Sequence, residues 1–152
     1  MAAFRGNHPA KVDEKGRLKL PSAFKALLDA EAVARFFITS TDGKRAEIWP
    51  MPEWEAIEAR LEGASPLDPA IEEYLNLVNF YGQEVEMDGQ GRVLLPQILR
   101  QAARLDGEVT VMGQRKFLAV HNMQLFMDSL PTNGLSRESR ERVNAVLTGQ
   151  GN

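Results

Sequence analysis

The sequence contains no cysteine, which excludes a disulfide framework and a zinc site built on thiolates. Histidine is scarce, with two residues in 152, and aromatic residues make up 7% of the chain. No apolar run approaches the roughly 18 residues that a membrane-spanning helix needs. The first residues, MAAFRGNHPAK, lack the apolar centre of a signal peptide. We therefore expect a cytoplasmic protein with no metal, no cofactor and no membrane contact.

The composition is typical of one globular unit. Apolar residues make up 43% and charged residues 26% of the chain, a balance found in packed domains. Each half, at about 75 residues, would be only marginally stable alone, because a short chain buries too little of its surface. The net charge of −3 is unevenly distributed, since residues 1–29 hold six Lys or Arg against three Asp or Glu, whereas residues 30–75 hold four against ten. Because binding responds to the local field, the acidic total does not exclude a polyanionic partner.

A nine-residue stretch occurs twice, as DEKGRLKLP at 13–21 and as DGQGRVLLP at 88–96. In each copy, an aspartate that can accept backbone hydrogen bonds and a glycine that tolerates positive φ predict a tight turn. The alternation after the turn predicts a half-buried strand, and the proline ends that strand and begins a helix. Later segments, AEIWP and LAVHN, align with a slightly shorter offset. A repeat of this kind indicates one supersecondary unit used twice.

Helical patterns follow each turn and fill the middle of the chain. Asp68 and Ser136 are the predicted N-caps, and Gly63 is a predicted stop. The segments predicted to be helical are SAFKALLDA, EWEAIEARLEG, AIEEYLNLVNFYG, QILRQAARL and SRESRERVNAVL. We expect the strands of one unit to close against those of the other about a pseudo-twofold axis, giving an α+β fold with a barrel-like core and attached helices. The predicted divisions are 4–55 for the first repeat, 56–82 for a helical insert, 83–126 for the second repeat and 127–152 for a C-terminal helix and tail.

These features resemble the MraZ family, within the AbrB-like (SpoVT-AbrB) group of swapped-hairpin DNA-binding folds. The resemblance covers residues 4–126 and rests on the doubled Asp-x-x-Gly-Arg motif, the Leu-Pro step after it, the chain length and the acidic helices between the repeats. The matching residues are Phe4-Arg5-Gly6, Asp13, Lys15-Gly16-Arg17, Pro21, Asp88, Gln90-Gly91-Arg92, Pro96 and Leu99-Arg100. Two positions depart from the family pattern, since Lys25 stands where arginine is common and His121 stands where tryptophan is usual.

The resemblance implies a bacterial, sequence-specific transcriptional regulator located at the nucleoid. Members of that family act at the promoter of the division and cell-wall gene cluster and bind repeated DNA boxes through first-repeat hairpins. The implied partners are double-stranded DNA carrying promoter direct repeats and further copies of the same chain in a ring-like homo-oligomer. No small-molecule substrate is implied.

The charges favour the first copy as the DNA contact. Residues 11–21 hold four basic and two acidic side chains, whereas residues 86–96 hold one and two. The replaced positions are Lys11 with Glu86, Lys15 with Gln90, and Lys19 with Leu94. Because phosphate charge supplies most non-specific affinity, DNA should prefer copy one. The predicted DNA-binding residues are Lys15, Arg17 and Lys19, followed by Lys11 and Arg5.

Both copies keep an aspartate with an arginine four residues later, which leaves two roles open for the arginine. Arg17 either contacts a base or phosphate or only stabilises its turn, whereas the second arginine is expected to be structural. The predicted structural turn residues are Asp13, Gly16, Asp88, Gly91 and Arg92.

Two alternatives remain beside a DNA-binding regulator. An enzyme would use Asp13 and Asp88 as paired carboxylates, but the arginine near each should lower its pKa, and we predict no catalytic residue. A ring-forming scaffold or antitoxin-like module would bind a protein partner instead. In a ring of either kind, DNA-binding or scaffold, the acidic helix at 53–62 could meet Arg100 and Arg104 of a neighbouring copy.

Overall fold

A computed structural model describes residues 3–149 of the chain, and within that range it contains eight strands and six helices. The strands are β1 (Asn7–Val12), β2 (Arg17–Lys19), β3 (Arg35–Thr39), β4 (Ala46–Pro50), β5 (Gln83–Glu86), β6 (Arg92–Leu94), β7 (Gly107–Gly113) and β8 (Leu118–Asn122). The helices are α1 (Ser22–Ala30), α2 (Met51–Glu62), α3 (Pro69–Phe80), α4 (Gln97–Ala102), α5 (Met123–Ser129) and α6 (Arg137–Leu147).

All eight strands form one antiparallel sheet in the order β5-β3-β4-β8-β7-β1-β2-β6. The two end strands, β5 and β6, approach each other at the second turn, where the amide of Asp88 donates to the carbonyl of Arg92 at 2.9 Å. The sheet is therefore a nearly closed barrel. The predicted α+β class and barrel-like core are confirmed.

The two repeats exchange strands about a pseudo-twofold axis. Strand β1 of the first repeat pairs with β7 of the second, and β5 of the second pairs with β3 of the first. Equivalent strands pair with each other at β2–β6 and β4–β8, with Leu18 opposite Val93 and Glu47 opposite Ala119. This is the interleaved arrangement that the repeated sequence predicts and the swapped-hairpin fold that the family resemblance implies, and it joins both halves in one core.

The core lies between the curled sheet and the helices that follow the two turns. Phe24 and Leu28 of α1 and Leu99 of α4 are buried in the same cluster as Leu18 and Val93. Burying an aliphatic or aromatic side chain of this size stabilises a fold by about 1.5–3 kcal/mol. Each turn is thus followed by a strand and a helix that both place side chains in the core.

The middle helices build a second cluster. Trp54 of α2 and Val78 of α3 are buried together with Met51, and Phe37 stacks on Trp54 at 4.7 Å between ring centroids. In contrast, α5 and α6 bury no residue. None of the helices within residues 3–149 is long and apolar enough to cross a membrane.

The helix ends test the predicted caps. The Asp68 carboxylate accepts from the amide of Ala70 at 2.9 Å, and the Ser136 hydroxyl accepts from the amide of Ser139 at 3.1 Å, so both predicted N-caps are confirmed. Gly63 is the C-cap of α2, as predicted. Helix α5 was not predicted, because its seven residues are too few to show a clear period.

Candidate nucleic-acid interface

The first turn is organised by the Asp13 carboxylate. One of its oxygens accepts from the amides of Lys15 at 3.0 Å and Arg17 at 2.9 Å, and the other accepts from Arg17 Nε at 2.7 Å. The amide of Asp13 donates to the Arg17 carbonyl at 3.0 Å, and the amide of Gly16 donates to the Asp13 carbonyl at 3.0 Å. One side chain therefore closes the hairpin and fixes the arginine beside it.

The second turn repeats this geometry almost to the tenth of an ångström. Asp88 accepts from the amides of Gln90 and Arg92, each at 2.9 Å, and from Arg92 Nε at 2.8 Å. The Asp–Arg pair is thus common to both repeats and serves to build the turn. The pairs do not distinguish one repeat from the other, so any difference in binding lies in the neighbouring residues.

Each arginine uses only Nε for its ion pair. The side chains of Arg17 and Arg92 are 34% and 27% exposed. Within the described residues, the terminal nitrogens of both guanidinium groups donate no hydrogen bond. A structural role and a DNA contact are therefore compatible for the same arginine.

The carboxylates remain charged near neutral pH. The pKa of Asp13 is lowered chiefly by the hydrogen bond from the Arg17 amide, and the pKa of Asp88 is lowered in the same way by Arg92. A carboxylate held in this state is a poor general acid, which argues against an enzyme that uses the two carboxylates as a catalytic pair. In the range 3–149, no three His, Asp or Glu side chains come together as possible metal ligands.

The turn glycines connect the repeats. Gly16 and Gly91 have φ values of +84° and +77°, a conformation that favours glycine. The amide of Leu95 donates to the Gly16 carbonyl, and the amide of Leu20 donates to the Gly91 carbonyl, both at 2.9 Å. Each turn is therefore completed by a backbone group of the other repeat.

The outer face of the β2–β6 ladder collects side chains from both repeats. Leu18 and Val93 point to the core and are 0% exposed. The alternate positions face outward, where Lys19 is directly opposite Arg92 and Arg17 is directly opposite Leu94. Like charges directly opposite on a ladder destabilise it, and an anion bound there would relieve the repulsion.

The other residues predicted to contact DNA lie at different distances from the β2–β6 ladder. Lys15 is exposed in the first turn, beside the ladder. Lys11 is exposed on β1 but is the register partner of Glu108 on β7, which reduces the local positive field. Arg5 lies beyond the opposite end of β1, two residues before the strand begins at Asn7. Within the described chain, the three lysines at 11, 15 and 19 form no salt bridge.

Two cations that were not predicted as site residues contact the turns from behind. A Cβ added at Gly16 would lie 3.0 Å from the guanidinium carbon of Arg100, and one added at Gly91 would lie 2.9 Å from Cδ of Lys25. Arg100 therefore contacts the first turn of its own chain, a position that the sequence analysis did not predict. The available signal was that Lys25 and Arg100 are equivalent in the two repeats and that the repeats interleave.

Comparison with known proteins gives a consistent set of relatives. The family model "MraZ protein, putative antitoxin-like" matches residues 3–75 and 81–146, so each matched segment contains one turn. A relative from Acidobacterium capsulatum is 51% identical over 140 residues, covering 92% of this chain and 96% of the relative. A relative from Koribacter versatilis is 43% identical over 141 residues, with the same coverage of 92% and 96%. A third, from Thiobacillus denitrificans, is 36% identical over 111 residues and covers 73% of this chain and 75% of the relative. All three carry the name Transcriptional regulator MraZ.

Proposed function

This chain belongs to the MraZ family, and from that membership and the geometry of its first turn we propose that it is a transcriptional regulator that binds double-stranded DNA. The observation that carries the proposal is the concentration of positive charge at the first turn. Lys15 and Lys19 are exposed there without a salt bridge in the described chain, and Arg17 keeps its terminal nitrogens free of hydrogen bonds within it.

The difference between the repeats supports the first turn as the main contact. Both turns have the same backbone and the same Asp–Arg pair, so they offer equal scaffolds. Lys15 and Lys19 of the first repeat are replaced by Gln90 and Leu94 in the second. A polyanion gains more from the turn that offers three cations than from the turn that offers one.

The family resemblance supports a more specific proposal about the DNA sites and the oligomer. The protein binds specific boxes, repeated in the promoter of the division and cell-wall gene cluster, through first-repeat hairpins presented by a ring-like homo-oligomer on the nucleoid. Multivalency supports this form, because a single hairpin with few cations binds weakly, whereas linked hairpins gain from effective concentration.

The experiment compares equivalent arginines in the two repeats. Because the two turns have matching hydrogen bonds, Arg17→Ala and Arg92→Ala should lower the stability of the fold by similar amounts. The difference between their DNA affinities then reports the contact that Arg17 makes with DNA. We expect Arg17→Ala to weaken binding by about 1–3 kcal/mol, the usual range for an arginine that reads a base. Lys15→Ala and Lys19→Ala should weaken binding of all sequences, while Arg92→Ala should act mainly on folding. The measurement is titration of labelled DNA from upstream of the chain's own coding region.

A scrambled duplex of the same length is the control for sequence specificity, and circular dichroism checks that each variant is folded. A folded Arg92→Ala variant that loses DNA as severely as Arg17→Ala would contradict the asymmetry between the repeats. Absence of salt-sensitive DNA binding by the wild-type chain would favour the scaffold or antitoxin-like alternative.

A further inference from the structure

Arg100, a residue of the second repeat, lies against the first turn. Its Nη1 donates to the carbonyl of Glu14 at 3.4 Å, which makes a long hydrogen bond to the turn backbone. Its guanidinium is so close to Gly16 that an added Cβ would be 3.0 Å from both the central carbon and Nη1. The swapped topology thus brings a guanidinium from α4 to the hairpin that carries Lys15 and Arg17.

The equivalent contact in the other half is electrostatically different. Lys25 of α1 contacts Gly91 of the second turn, but its ammonium group forms a salt bridge with Asp29 at 2.7 Å on the same helix. Arg100 has no such partner, because α4 ends two residues later and the residue four positions on is a second arginine, Arg104. No carboxylate in residues 3–149 forms a salt bridge with Arg100.

The turn that carries more exposed cations is therefore also the turn whose packed cation has no salt-bridge partner. The first turn carries Lys15 and Arg17 and is supported by an unpaired arginine, whereas the second turn is supported by a lysine whose charge is paired. The Nε of Arg100 is buried without a hydrogen bond in the described chain. Burying this polar group without a partner is unfavourable, so stability alone does not explain an arginine there.

We propose that Arg100, a residue of the second repeat of the same chain, adds a cation to the first-turn DNA surface formed by Lys15, Arg17 and Lys19. It supports the turn backbone from behind, so that Lys15 and Arg17 are presented in a fixed arrangement. Its positive charge also neutralises a backbone phosphate that approaches the turn. The proposal rests on the proposed DNA-binding function, and it makes the first-repeat surface dependent on a residue outside that repeat.

The test measures affinity against salt concentration for a short labelled duplex from the upstream region. Each phosphate contact contributes about 0.9 to the slope of log affinity against log salt, so Arg100→Gln should reduce the slope by about 0.9 and the affinity about tenfold near 0.1 M salt. Arg100→Lys keeps the charge and should restore the slope. Lys25→Gln is the matched control, and because the Lys25 charge is already paired, it should change neither quantity.

Arg17→Ala is measured in parallel to separate this inference from the proposed function. If Arg17→Ala weakens binding but Arg100→Gln leaves slope and affinity at the wild-type values, the role of Arg100 is overturned and the first-turn interface stands. If Arg100→Lys reduces the slope of log affinity against log salt as much as Arg100→Gln does, the proposal that the charge of Arg100 neutralises a phosphate is likewise overturned. If Arg17→Ala binds as the wild type does, the first-turn interface itself is wrong. Thermal unfolding checks each variant, and Arg100→Met, which keeps the packed stem, replaces Arg100→Gln should the latter not fold.

Discussion

At the scale of single residues, the Asp–Arg pairs show how one geometry can serve two purposes. The two turns differ by no more than about a tenth of an ångström in their carboxylate hydrogen bonds. The pairs therefore fix the hairpins, and Lys15 and Lys19 distinguish the first hairpin from the second. A single motif of this kind predicts a turn, and only comparison of the two copies predicts which turn binds.

His121 is a position at which an aromatic residue of the first repeat is replaced by a titratable one in the second. It occupies the place of Trp49 and packs on Phe126 at 4.4 Å between ring centroids, as Trp49 packs on Trp54 at 5.8 Å. Beside it is an open cavity of about 440 Å³, which Arg104 also lines. Burial, and next the charge of Arg45, lowers the pKa of His121 below its ordinary value of 6.5.

The lowered pKa of His121 predicts a loss of stability in mild acid. The unfolded chain takes up a proton near pH 6.5, whereas the folded chain takes it up only at lower pH. The contribution of neutral His121 is thus complete above pH 6.5 and declines as the pH falls through the folded-state pKa. We expect the thermal midpoint of the wild type to fall more than that of His121→Phe between about pH 7 and about pH 5.

His121→Phe keeps an aromatic ring against Phe126, so the difference between the two proteins reports the effect of protonating His121 on stability. Asp13 and Asp88 do not contribute to the difference, because their lowered pKa values place their titration below 3.8. Parallel curves for the two proteins would show that His121 does not titrate differently in the folded and unfolded chains.

At the scale of secondary-structure elements, most of the fold was predictable from local patterns. The predicted helix SAFKALLDA coincides with α1 at Ser22–Ala30, and both predicted N-caps form. The pairing between repeats followed from the fixed offset, because neither half can bury its own strands. What could not be predicted were contacts such as that between Arg100 and Gly16, which depend on where α4 lies relative to the first turn. Such a contact has no local sequence signal.

The β2–β6 ladder predicts opposite outcomes for two leucines on its two faces. Leu18 is 0% exposed at the pseudo-twofold axis, so Leu18→Ala should lower the free energy of unfolding by about 2–5 kcal/mol. Leu94 is 52% exposed on the outer face, so Leu94→Ala should change it by no more than about 0.5 kcal/mol. Urea unfolding followed by circular dichroism measures both.

The two substitutions remove the same side-chain atoms from paired strands, so each is the control for the other. A similar loss for both would mean that another molecule covers the outer face of the ladder under the conditions of the assay.

At the scale of the whole molecule, charge is segregated. Residues 1–29 carry the basic excess, with six Lys or Arg against three Asp or Glu, while the middle segment at 30–75 holds ten Asp or Glu against four Lys or Arg. With this distribution, a polyanion is attracted to the basic surface around the first turn and repelled by the acidic middle segment. Several copies in a ring would present several such edges at once.

Box spacing should therefore control the salt dependence of binding. One box that engages Lys15, Arg17 and Lys19 should give a slope of about −2.7, or about −3.6 with Arg100 included. Several boxes spaced to meet neighbouring subunits should give a multiple of that slope and much tighter binding. Altering the spacing while keeping each box intact should return the slope towards the single-box value. Affinities at several salt concentrations for the three types of DNA provide the measurement.

Light scattering on the purified chain is the accompanying control, and it should give a mass several-fold above 16.9 kDa. A monomer at micromolar concentration, or one slope for all three DNAs, would remove the multivalent ring and leave binding by a single hairpin.

The exchange of strands also sets the order in which a nascent chain can fold. Strand β1 pairs with β7, so the segment Asn7–Val12 waits for residues 107–112 to leave the ribosome. At usual rates of synthesis that interval is about 5–20 s, during which β1 is an open edge able to pair with other nascent chains. Pro9, which lacks an amide hydrogen, and Lys11, which adds charge, both lie on that strand. Both are features with which proteins protect an unpaired edge against pairing with other chains.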